Sequence, residues 1–112
     1  VAKFAIVLSV PLVFMVAFAA CGDAVALTGL QRQGQALVER LCARCHAVGT
    51  SSASPHAGAP PLRTLGRRLD VDALAARLRE GLASSHPDMP VFRFSRDDAR
   101  AVAAYVRAIQ EP

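Results

Sequence analysis

Five residues near the middle of the chain, Cys42-Ala43-Arg44-Cys45-His46, set two thiols and an imidazole in the order C-x-x-C-H. Two thiols three positions apart at the end of a helix reach the two vinyl groups of one haem and form thioethers. The imidazole that follows is then held beneath the ring, where it can bind iron. The spacing admits other chemistry. A thioredoxin-like redox pair also uses C-x-x-C but needs a βαβ setting. A structural zinc site needs a fourth ligand, which His56 or His86 would have to supply. A plain disulfide between Cys42 and Cys45 suits an exported protein.

Met89 is the other residue with chemistry to offer. It is the only methionine outside the N-terminal apolar run, Met15 lying within that run. It stands between Pro87 and Pro90, outside any helical stripe, so the common role of a core gap-filler does not suit it. His86, three residues away, is another side chain there that could bind iron. His56 falls in a loop and is expected to be solvated.

The elements that must position these residues are helical. Thr28-Gly29-Leu30-Gln31 has the form of a capping box. Leu30, Gly34, Leu37, Val38 and Leu41 then recur on one helical face running into Cys42. Residues 49–61 are dense in Ser, Ala, Gly and Pro and predict a long loop, of a length that compact domains use chiefly to wrap something. Asp70 is placed to cap a second helix with Val71, Leu74, Leu78 and Leu82 on one face, and Gly81 lies near its end. Residues 85–94 hold two prolines and predict another irregular connection. Ser95 caps a third helix, with Asp97 and Asp98 in its first turn and Val102, Ala103, Val106 and Ile109 along its buried stripe. No segment alternates as a strand does. The fold class is all-α.

The N-terminus has a different character. Residues 4–22 carry no charge and follow Lys3, and Ala24-Val25-Ala26 has the small-x-small pattern read by a signal peptidase. Residues 1–26 are therefore expected to be a signal peptide or membrane anchor. Residues 27–112 are the functional domain, only 86 residues and so in need of a staple or prosthetic group. Phe18-Ala19-Ala20-Cys21 offers a third fate, a lipoprotein cleavage site with Cys21 lipidated. All three deliver the domain across a membrane. With 13 basic and 9 acidic residues the formal charge is +4, and twelve of the basic residues are scattered arginines. No basic tract marks a nucleic-acid binder, though a mild positive field would steer docking to an acidic partner.

The string Met89-Pro90-Val91-Phe92 resembles the sixth-ligand loop of class I monohaem cytochromes c, and Ala59-Pro60-Pro61-Leu62 resembles that family's Gly-Pro-x-Leu segment with Ala for Gly. Gly34 and Leu37-Val38 on the first helix, with Tyr105 on the last, resemble the family's helix-crossing contact. The resemblance spans residues 27–110. It implies a small cytochrome c-like fold of three main helices around one haem c, covalent through Cys42 and Cys45. It also implies His46 and Met89 as axial iron ligands, with Pro60 accepting a hydrogen bond from His46. Leu62, Leu65 and Phe92 would line the haem edge, and Arg63 and Arg93 are candidates for meeting its propionates.

The expected function is a single-electron carrier, not an enzyme, working in the periplasm or tethered at a membrane surface and meeting redox protein partners in small, transient encounters. With both axial positions filled, iron has no free site for substrate. Two alternatives stand: a haem c subunit of a dehydrogenase or oxidase complex, and a gas-binding haem protein if Met89 is off the iron.

Overall fold

The computed structural model describes residues 26–82, 84 and 86–112, and the expectations for the leader and for Cys21 fall outside them. Helix α1 spans Gly29–Leu41 and opens with the expected capping box. The Gln31 amide donates to Thr28 Oγ1 at 3.3 Å, and the Thr28 amide donates to Gln31 Oε1 at 2.8 Å. Two of the amide groups left over at a helix start are thereby satisfied. Gly34, Leu37 and Val38 form the buried face, as the periodicity requires. Leu30 departs from expectation. It sits in the first turn, before the partner helix is reached, and is 40% exposed.

Between α1 and the next helices the chain runs without regular structure to Pro61. A 3₁₀ turn over Leu62–Arg67 follows, just beyond the breaker-rich residues 49–61, and no sequence pattern pointed to it. Asp70 caps as expected, its carboxylate accepting from the Asp72 amide at 2.9 Å. It initiates a 3₁₀ turn, Val71–Ala73, and the α-helix proper, α2, covers Leu74–Glu80. Leu74 and Leu78 are its buried residues, and Gly81 ends it at φ 95°, a left-handed conformation that costs glycine little. Helix α3 spans Arg96–Ala108. Ser95 Oγ accepts from the Asp98 amide at 3.2 Å, Asp97 and Asp98 lie at the positive end of the helix, and Arg107 lies at the negative end. Among the described residues there is no strand, and no helix is long and apolar enough to cross a membrane.

The core lies where α1 and α3 cross, and α2 packs against α3 beside them. The crossing is close because Gly34 has no side chain. A Cβ there would stand 2.5 Å from the Ala101 carbonyl carbon, 2.9 Å from Tyr105 Cβ, and nearer still to the Ala101 carbonyl oxygen. Tyr105 packs over this contact, 3% exposed, and its hydroxyl donates to the Val48 carbonyl at 2.6 Å. A buried phenol needs such a partner. Here the bond also ties α3 to the strand of chain leaving the C-x-x-C-H motif.

A second tie comes from the C-terminus. The Gln110 amide donates to the carbonyls of Leu62 and Val106, both at 2.8 Å, and its oxygen accepts from the Gly66 amide at 2.7 Å. Arg63 adds an ion pair with Glu111 at 2.7 Å, and the Glu111 amide donates to the Arg63 carbonyl at 2.9 Å. Together these bonds fix the turn after Pro61 against the end of α3.

Candidate functional site

Helix α1 ends at Leu41, and its last carbonyls turn the chain through the motif. The amides of Cys42 and Ala43 both donate to the Val38 carbonyl, at 2.8 and 3.0 Å, and those of Cys45 and His46 donate to the Cys42 carbonyl, at 3.1 and 2.9 Å. This tight turn brings both thiols and the imidazole to one end of the helix. Cys42 and Cys45 are free thiols, both half-buried. Burial pushes the Cys42 thiol up to about 11, so it is held as the neutral SH.

His46 is oriented by the loop that returns over it. Its Nδ1 lies 2.7 Å from the Pro60 carbonyl oxygen. A carbonyl carries no proton, so this contact is a hydrogen bond only with the proton on Nδ1. The Nε2 lone pair is then free to bind a metal. Neighbouring bonds hold the loop in place: the Leu62 amide donates to the Ala47 carbonyl at 2.9 Å, the His56 amide to the Cys45 carbonyl at 3.1 Å, and the Ala47 amide to Ser54 Oγ at 2.9 Å. The long loop is thus pinned at both ends to the motif it wraps.

The segment after α2 supplies further wall to the same cleft. The Phe94 amide donates to the Leu78 carbonyl at 3.0 Å, and the Phe92 and Phe94 rings pack with centroids 6.0 Å apart. Met89, half-buried, follows a turn in which its amide donates to the His86 carbonyl at 3.2 Å.

Cys42, Cys45, His46, Pro60, Met89 and Phe92 therefore line one cleft of about 440 Å³, within the roughly 300–1,000 Å³ usual for cofactor sites. Leu41, Ala59 and Pro90 make further apolar wall. Two free thiols, an imidazole with an available Nε2 and a thioether facing a mostly apolar cleft fit a covalently held haem. Leu62 stands elsewhere. It is buried in the core behind the Pro60 segment and is not among the residues lining the cleft.

Three further placements differ from expectation. Arg63 is engaged by Glu111 and by the Ser52 carbonyl at 2.7 Å, and Arg93 is exposed and is not among the residues lining the cleft. The arginines that line the cleft are Arg40 and Arg44. Their positions beside and inside the C-x-x-C-H motif account for that placement. His56 is half-buried rather than solvated, and meets Asp88 with an Nε2–Oδ2 distance of 3.4 Å.

The comparisons with known proteins agree with this geometry. Residues 29–106 match the family described as cytochrome c oxidase, cbb3-type, subunit III. A cytochrome c-552 from Bradyrhizobium diazoefficiens is 35% identical over 77 residues, which cover 69% of this chain and 72% of that protein. No solved structure matches the chain. With its all-helical fold and its paired thiols in one cleft, the chain belongs to the monohaem c-type cytochromes, binding haem c through Cys42 and Cys45 for haem-based electron transfer.

Proposed function

We propose that this protein is a single-electron carrier whose haem iron is held between His46 and Met89, and that it works in the periplasm or at the outer face of a membrane. The observation that carries the reading is the placement of His46 and Met89 on one cleft, with His46 Nδ1 committed to the Pro60 carbonyl and Nε2 left for iron. When bound, haem c supplies a one-electron iron couple. The chain's own residues set how that couple behaves. The Pro60 bond fixes the orientation and basicity of the imidazole. A thioether favours the ferrous state, and the apolar wall around Phe92 disfavours the extra ferric charge, so both raise the potential. With His46 and Met89 both holding the iron, no position would be left for substrate, which would suit outer-sphere transfer and not catalysis. Leu62 supports the Pro60 segment from the core.

The folded unit is residues 27–112. Residues 1–26 deliver it across the membrane, by cleavage, by lipidation at Cys21, or as a retained anchor. Arg40 and Arg44 at the cleft favour acidic docking surfaces on transient redox partners. The test is an absorption spectrum of the haem-loaded protein, oxidised and reduced. Sharp c-type bands on reduction, with the weak sulfur-to-iron band in the oxidised form, support the reading. Covalent haem without the sulfur band, together with rapid carbon monoxide binding by the reduced form, refutes it in favour of an open site.

A second reading, a haem c subunit of an oxidase complex, draws on the description of the matching family as an oxidase subunit. Co-purification with a larger catalytic chain separates it from a free carrier.

A further inference from the structure

We propose that His56, His86 and Asp88 form a binding site for a divalent transition metal of the zinc and copper class at the edge of the haem cleft, distinct from the haem ligands. The chain has three histidines. His46 is turned to Pro60, and the other two stand together here although thirty residues separate them in sequence. Their rings meet edge-on, with centroids 5.2 Å apart at 87°. His56 Nε2 lies 3.4 Å and His86 Nδ1 4.0 Å from the same oxygen, Asp88 Oδ2. One ligand atom from each of the three residues falls within 4.8 Å of the others.

A tetrahedral ion with bonds of about 2.0–2.2 Å needs its ligand atoms roughly 3.3–3.5 Å apart. The His56–Asp88 pair already meets that spacing, His86 Nδ1 must close on Asp88 Oδ2 by about half an ångström, and the two histidine nitrogens must come within the same spacing from a separation of at most 4.8 Å. The three side chains are 37%, 45% and 69% exposed for His56, His86 and Asp88, so small rotations meet little packing resistance.

The donor set selects the ion. Two imidazole nitrogens and one carboxylate suit zinc, copper or nickel, whereas calcium and magnesium demand more oxygen ligands. Three protein ligands leave a fourth position for water. Protonation imposes a small cost. His86 Nδ1 now accepts from the Asp88 amide at 3.3 Å, so its lone pair is already unprotonated, and the ion takes that amide's place. His56 Nδ1 accepts from the Gly58 amide at 3.2 Å, so its proton must move from Nε2 to Nδ1 and that weak bond is given up. Both amides are exposed and turn to water.

An ion held there would clip the loop around His56 to the segment carrying Met89. All three ligands border the same cleft as His46 and Met89. Two added positive charges beside the haem favour the less positive ferrous state, so zinc should raise the midpoint potential.

The experiment is calorimetric titration of the haem-loaded protein with zinc chloride, beside redox titration with and without zinc. One equivalent should bind. His56→Gln and Asp88→Asn should each weaken binding at least about tenfold, as losses around metal sites do. The haem spectrum should persist throughout, and the zinc-induced rise in potential should disappear in His56→Gln. Absence of binding, or binding unchanged in both variants, overturns the proposal. So does zinc binding that destroys the haem spectrum, since the ion would then be on the haem ligands. A protein that lacks the sulfur-to-iron band yet binds zinc through His56 and Asp88 would refute Met89 ligation and leave this site standing.

Discussion

Replacing Gly34 by alanine sets two physical effects against each other with opposite signs. In an isolated helix, alanine is favoured over glycine by about 1 kcal/mol. In this protein the added methyl would enter the crossing of α1 and α3, 2.5 Å from the Ala101 carbonyl carbon and 2.9 Å from Tyr105 Cβ. Overpacking of a closed core costs about 1–3 kcal/mol, and more where the obstacle is backbone that cannot rotate away. Here it is backbone, and the other neighbour, Tyr105, is itself only 3% exposed. The crossing therefore outweighs helix propensity, for a net loss of about 2 kcal/mol. For a domain of this size that lowers Tm by roughly 8–16 °C. Thermal and guanidinium unfolding of the haem-loaded protein, followed by far-ultraviolet circular dichroism, measures it. Adding Ala101→Gly should give no rescue, because the obstruction is the carbonyl and not the methyl of Ala101. A Gly34→Ala protein as stable as the parent, or more so, refutes the close-contact argument.

Met89→Ala should leave haem attached, since Cys42 and Cys45 are untouched, but lower the midpoint potential substantially in redox titration; an unchanged potential sinks the ligand proposal. Gln110→Ala removes three hydrogen bonds that join the turn at Leu62 and Gly66 to α3. At about 0.5–1.5 kcal/mol per bond, with partial replacement by water, the expected loss is about 1–3 kcal/mol by denaturant melts. Tyr105 governs alkaline behaviour. Burial, and secondarily the Glu39 carboxylate, hold its phenol above the ordinary value of 10.0. Its stabilisation is thus complete below pH 10. It falls as pH rises further, because the unfolded chain loses the proton first. Tyr105→Phe should be less stable than the parent at pH 8, and the gap should narrow above pH 10; a gap constant with pH counts against the burial argument.

Helix ends and faces were legible in the sequence wherever the cause is local. Thr28 with Gln31, Asp70 and Ser95 cap as expected because a cap needs only a side-chain oxygen within three residues of the amide it serves. The buried stripes of α1 and α3 follow from a 3.6-residue period, which is likewise a property of the chain itself. Leu30 shows the limit of that reasoning. Periodicity assigns a face, but only the partner helix decides how far along that face burial extends.

The site divides in the same way. C-x-x-C-H announces its chemistry because both thiols and the imidazole lie within five consecutive residues. Pro60 and Met89 were reached through their resemblance to known sequence strings, since nothing local links them to His46. Arg63 stands close to Pro60 in sequence, yet its carboxylate partner is Glu111, forty-eight positions on. His56 looks like an unconstrained loop residue until the fold brings His86 and Asp88 to it. The sequence by itself determined the helices, their caps and the capacity to bind haem, because each depends on residues within a turn or two of one another. The tertiary structure alone decided which arginines line the cleft, which leucine supports it from behind, and that two distant histidines share a carboxylate. Those outcomes depend on where the crossing at Gly34 and the bonds from Tyr105 and Gln110 bring separate segments together, and no short-range pattern encodes that.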